Sequence, residues 1–159
     1  MPLFSRNNES PRDFAGRDFE WACRIARLDA RPDRMVADVE LSDERFCVTS
    51  PALVASLMPR FPNILSHTCV NDKGERFIDV AAHTSVPHLL EHLVIDEQAR
   101  VDATPHNVVF VGKTAWVNRA SRKARVQVSY ASEPVARQAF EVAAHELNVA
   151  LLAQACRER

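Results

Sequence analysis

The chain has 159 residues, 47% of them hydrophobic and 26% charged, with a formal net charge of −1, which suits one globular domain able to bury about two-thirds of its unfolded surface. The near-neutral balance leaves no electrostatic footprint for nucleic acid or an anionic membrane, and no run approaches the ~18 apolar residues of a membrane span. Met1 to Gly16 lacks the apolar stretch of a secretory signal, and Cys23, Cys47, Cys69 and Cys156 form no C-x-x-C pair, so a cytoplasmic protein with reduced thiols is expected.

Residues 1–18 are polar, carry Pro2 and Pro11 and show no apolar period, which predicts a flexible tail. From Phe19 the apolar residues Trp21, Cys23 and Ile25 alternate with polar or small ones, predicting a half-buried strand to about Leu28. Asp29 to Asp33 supplies turn chemistry around Pro32, and Met35 to Leu41 alternates again, completing a hairpin. Ser50-Pro51 is a cap followed by proline at the first helical position, and Leu53, Val54, Leu57 and Met58 give a short helix that Pro59 and Pro62 end.

Asn71 to Gly74 marks a turn, and Phe77 to Ala82 is ambiguous between a short helix and a strand. From Val86 to about Ala99, Leu89, Leu90, Leu93 and Val94 recur at helical spacing behind Ser85 as N-cap. Val108 to Val111 and Arg125 to Tyr130 read as strands, with Gly112 and Asn118 to Lys123 irregular. Glu133-Pro134 opens a last helix with a broad apolar face from Val135 to Leu151. The order predicts an α+β fold: a largely antiparallel sheet packed by about three helices, in a single domain over residues 19–156.

The chemistry-bearing stretch is Pro87-His88-Leu89-Leu90-Glu91-His92. On a helix, residues four apart share a face, so His88 and His92 can aim imidazole nitrogens at one point with Glu91 beside them. In an H-x-x-E-H motif the two histidines bind zinc, and the glutamate is a general base for water that the metal acidifies. A catalytic zinc wants three protein ligands and an open position, and Cys69, in the loop before the helix, completes that count. His67 stands as a further ligand, a partner of one, or a substrate contact. His83 is placed in a loop near the site, Asp96 is a candidate to orient the His92 ring through its second nitrogen, and Lys113 is a candidate for a substrate carboxylate. Cys/His ligation suits zinc and leaves other divalent transition metals open.

These residues resemble the N-terminal domain of cyanophycin synthetase, which carries an H-x-C loop, an aromatic residue after glycine, and a helix bearing H-x-x-E-H after threonine. The matching pieces are Leu65-Ser66-His67-Thr68-Cys69, then Gly74 and Phe77, then Thr84 with His88, Glu91, His92 and Asp96. Further on, Val111-Gly112-Lys113-Thr114 and Val126-Gln127-Val128-Ser129-Tyr130 before the alanine-rich helix continue the pattern. The sequence departs at His83 and Pro87, where the family carries glycines, and at Asp96, where it carries glutamate. The resemblance implies Cys69, His88 and His92 as metal ligands, Glu91 as catalytic base, and a substrate such as the aspartate–arginine polymer.

No phosphate-binding G-x-x-x-x-G-K-[ST] loop is present, so a stand-alone version of the domain, without the ATP-grasp and ligase parts, is expected. The leading expectation is a zinc-dependent peptidase or amidase acting on a peptide or isopeptide. The alternatives are a non-catalytic module of the same fold that binds a polymer, a peptide or a partner protein, and a purely structural zinc closed by His67. Partners would be the peptide or polymer substrate, a second copy of the chain or a partner synthetase, with neither nucleic acid nor membrane.

Overall fold

The computed structural model describes residues 19–101 and 108–158; the expected tail over residues 1–18 lies outside them. Strands β1 (Cys23–Ala30) and β2 (Arg34–Leu41) form the first hairpin. The short helix α1 (Pro51–Leu57) follows, opened by Ser50, whose hydroxyl accepts from the Leu53 amide. Helix α2 (Val86–Val101), strands β3 (Gly112–Asn118) and β4 (Lys123–Ser129), and the long helix α3 (Glu133–Arg157) complete the chain. The four strands make one fully antiparallel sheet in the order β1-β2-β4-β3. The molecule is thus an α+β domain with three α-helices among the described residues, in line with the pattern of elements.

Alternation along β2 and β4 decides which face of the sheet is covered. Met35, Ala37, Val39, Val126 and Val128 are buried beneath α2 and α3, which contribute Leu89, Leu90, Leu93, Phe140, Ala143 and Leu147. The other face is solvated and carries cross-strand ion pairs, Arg24 with Glu40 at 2.9 Å and Arg125 with Asp38 at 3.0 Å. Among the described residues no helix is long and apolar enough to cross a membrane.

Two expectations are corrected and one open alternative is resolved. The first strand starts at Cys23 rather than Phe19, because the Phe19 ring instead sits edge-on against Phe46 at 4.9 Å. Val108 to Val111 is not a strand: Val109 and Val111 are exposed, and pairing with β4 begins at Gly112, opposite Val128. An apolar run satisfies the period of a strand without guaranteeing the hydrogen-bonding neighbour that makes one. The ambiguous Phe77–Ala82 stretch folds as two successive 3-10 turns, Phe77–Asp79 and Ala81–His83. In the turn between β3 and β4, Arg122 takes a left-handed φ of 57°, offset by guanidinium bonds to the carbonyls of Leu41 and Ser42.

Candidate metal centre

Helix α2 supplies two histidines from its first turns. Ser85 caps it, its hydroxyl accepting from the His88 amide at 3.2 Å. Pro87 lies in the first turn, where a missing N–H costs nothing, so this departure leaves the helix intact. The loop bearing Cys69 is held from several sides. Its amide donates to the Glu75 carbonyl, the Asn71 side chain bonds the carbonyls of Cys69 and Arg76, and the Phe77 amide donates to the His67 carbonyl. The Asn71 side chain also accepts from the amides of Lys73 and Gly74, building the expected turn.

These two pieces bring Cys69, His88 and His92 together, with one ligand atom from each lying within 4.8 Å of the others. Small side-chain rotations from that spacing reach the ~3.5 Å separations of donors around tetrahedral zinc. The Cys69 Sγ is 3.4 Å from His88 Nε2, and His88 Nδ1 is 2.9 Å from the Thr84 hydroxyl. Both rings are packed against Phe77, which stacks on His92 at a centroid distance of 3.9 Å and meets His88 edge-on at 5.3 Å.

The His92 ring is oriented by a chain of side chains. His92 Nδ1 lies 3.0 Å from His67 Nδ1, and His67 Nε2 lies 3.4 Å from Asp96 Oδ1. A carboxylate only accepts, so a neutral His67 carries its proton on Nε2 and offers Nδ1 as an acceptor. His92 then donates from Nδ1, which leaves its Nε2 as a bare lone pair. That atom is buried without a hydrogen-bond partner, an arrangement that a cation satisfies. Asp96 therefore meets His67 and not His92, and His67 stands behind His92 and outside the triad. His83 ends the second 3-10 turn, exposed to solvent, and Lys113 is exposed on β3.

Glu91 is placed by two residues that the sequence pattern contains but does not explain. Thr114 on β3 donates its hydroxyl to Glu91 Oε1 at 2.8 Å, while Oε2 is turned toward His92 Nε2 at 3.5 Å. Gly112 makes room: a Cβ there would fall 2.4 Å from the Glu91 Cγ and 2.7 Å from Oε2. Burial pushes the Glu91 carboxyl up to about 7, with Thr114 and His67 acting against it. Burial, followed by the neighbouring charges of His88 and His67, pushes His92 down to about 3, and burial lowers His88 as well. The imidazoles are thus held neutral, as metal ligation requires. Burial raises the Cys69 thiol, a direction that a coordinated metal reverses.

The triad and Glu91 lie in a cleft of about 860 Å³ between α2, the Cys69 loop and β3. A family model for the cyanophycin synthase-like N-terminal domain matches residues 34–153. The chain belongs to this family. The match runs from the start of β2 through most of α3 and takes in Cys69, His88, Glu91, His92 and Thr114. A search of curated proteins finds no match to the chain. As a cyanophycin synthase-like N-terminal domain, the chain carries its clustered Cys/His/His donors on the elements where the sequence pattern of the resemblance places them.

Proposed function

We propose that this domain is a zinc-dependent hydrolase of amide bonds in peptides or isopeptides, with Cys69, His88 and His92 as metal ligands and Glu91 as general base. The observation that carries this reading is the convergence of three soft or borderline donors with a carboxylate whose free oxygen faces the same point. Zinc held there supplies a Lewis acid that polarises a carbonyl and acidifies water.

The remaining work falls to the chain's own residues. Glu91 Oε2 takes a proton from the attacking water and hands it to the leaving amine. Thr114 pins the other oxygen so that Oε2 keeps its aim. The line from Asp96 through His67 holds the His92 tautomer and ring plane. Thr84 holds the plane of the His88 ring through its hydroxyl. Family membership supports a peptide or isopeptide substrate, cyanophycin-like in its backbone, and work alongside a synthetase.

The test is a metal assay of the purified protein coupled to mass spectrometry of peptide mixtures incubated with it. Wild type is expected to hold close to one zinc per chain and to yield hydrolysis products. Glu91→Gln should keep the zinc and lose the products by a factor of at least ~10². A protein that binds peptide equally well with Glu91→Gln and yields no product in either form is a binding module. A metal site closed by four protein ligands would make zinc structural.

A further inference from the structure

The cleft has one wall that the hydrolase reading leaves without a role, the outer edge of β3. Within the sheet β3 is a terminal strand, paired with β4 alone among the described residues. Its register shows which backbone groups are spent. The Ser129 amide donates to the Val111 carbonyl, and Lys113 stands opposite Gln127 and Ala115 opposite Arg125. In an antiparallel ladder the directly bonded pairs alternate, so Lys113 and Ala115 spend their N–H and C=O groups on β4. Gly112, Thr114 and Trp116 point theirs outward from the sheet edge. These are also the residues on the cleft side of the strand, since Thr114 bonds Glu91 and a Cβ on Gly112 would strike it.

We propose that an extended peptide docks in this cleft as a fifth strand on β3, bonded to the backbone of Gly112, Thr114 and Trp116, and that its side chains next to Glu91 are apolar. The first half rests on the open donors and acceptors, which recognise an extended polypeptide backbone and little else. From Gly112 to Trp116 the edge spans about five residues, roughly 17 Å. The second half rests on the lining. Around the site the cleft is walled by Val70, Ile95, Val109, Val111 and Trp116, and Val70, Val109 and Val111 are 86%, 79% and 66% exposed. Among the described residues, the carboxylate and ammonium groups on the cleft wall are those of Glu91 and Lys113. Such a wall holds Leu, Val or Phe side chains, and its described residues offer no set of acidic partners to a row of arginines. This narrows the substrate of the hydrolase reading and rests on it only for the identity of the bond attacked.

Backbone amide exchange tests the docking without turnover. Wild-type protein in a chelator, so that the peptide stays intact, is followed by NMR with and without a blocked hexapeptide rich in Leu, Val and Phe. In the free protein the amides of Gly112, Thr114 and Trp116 should exchange fast, and those of Lys113 and Ala115 slowly. Adding millimolar peptide should slow the first three at least tenfold and leave the other two unchanged. N-methylation of alternate peptide amides should abolish the effect in one phase and spare it in the other. An alternating Asp/Arg hexapeptide should give no protection. The docking is overturned by protection of the three amides in the free protein, by no slowing on adding the apolar peptide, or by preferential protection with the Asp/Arg peptide. Zinc-dependent cleavage without amide protection would leave the hydrolase reading standing and sink the docking. Protection without cleavage by the zinc-loaded protein would do the reverse.

Discussion

At Glu91 one carboxyl is held by groups far from it in sequence, and this is where a mutation tests the site most sharply. A Cβ on residue 112 would lie within 2.7 Å of the Glu91 Cγ, Cδ and Oε2, and Thr114 prevents an easy retreat. Gly112→Ala is therefore expected to destabilise the fold by about 1–3 kcal/mol despite the entropy that alanine saves in the unfolded chain. In a Glu91→Ala background the same substitution should be close to neutral, giving a coupling of about that size in a urea-unfolding double-mutant cycle. Equal penalties in both backgrounds would contradict this placement. The histidine pair was legible in the sequence because four-residue spacing on a helix fixes a shared face. Cys69 was legible as a nearby donor. Gly112 and Thr114 were not, since nothing in a one-dimensional pattern says that β3 closes over the first turns of α2. Nor was the passage of Asp96 through His67, because helical spacing places Asp96 one turn from His92 and cannot show a loop histidine between them.

Helix α2 carries more than its apolar stripe. Its sequence period assigned Leu89, Leu90, Leu93 and Val94 to the core correctly, but the structure also buries Glu91, His92, Asp96, Glu97 and Gln98. Period reports which residues share a face; it does not report that a loop and an edge strand cover the opposite one. Glu97 shows what that covering requires. Its carboxylate accepts from Arg60 at 2.8 and 3.0 Å and from Arg100 at 2.7 and 3.3 Å, joining the end of α2 to the segment after α1. Burial pushes this carboxyl up, but the two guanidinium groups outweigh it and hold it below the usual value. A depressed folded pKa means stability that is fully present above the unfolded value of about 4.3 and lost as pH falls through the folded one. Glu97→Gln should thus cost about 1–3 kcal/mol at pH 7, toward the lower end because both arginine side chains are partly solvated, 36% and 49% exposed. The difference from wild type should shrink between pH 5 and pH 3 in urea titrations. A gap that stays constant over that range would show that the ion pairs contribute nothing. The misplaced strand teaches the same lesson from the other side: Val108 to Val111 has strand composition, and the ladder still begins at Gly112.

Over the whole molecule, the apolar core and the candidate metal centre are separate. The core lies between the sheet and α2 and α3, filled by Met35, Val126, Val128, Leu89, Phe140 and Leu147, while the triad sits at the cleft where α2 meets the Cys69 loop. Phe77 serves both, fully buried and stacked on His92, and Cys69 packs against the edge of the core. A small zinc finger unfolds without its metal because it has no such core; this chain has one. The α+β class follows from the order of elements and was readable for that reason. The separation of core from site was not, since it depends on how the layers pack. It has a measurable consequence. Ligand binding to the folded state alone stabilises by about 2.7 kcal/mol at a free concentration one hundred times Kd, and for a domain of this size that is on the order of 10 °C in Tm. Chelator-treated protein should therefore keep its far-UV circular dichroism and a cooperative melt. Added zinc should raise Tm by about that amount in wild type and not in Cys69→Ser or His92→Ala. Phe77→Ala should act on both, costing about 3–5 kcal/mol in the metal-free protein and weakening the zinc shift by freeing the His92 ring. Loss of helical signal on chelation would contradict this separation and make the metal part of the fold.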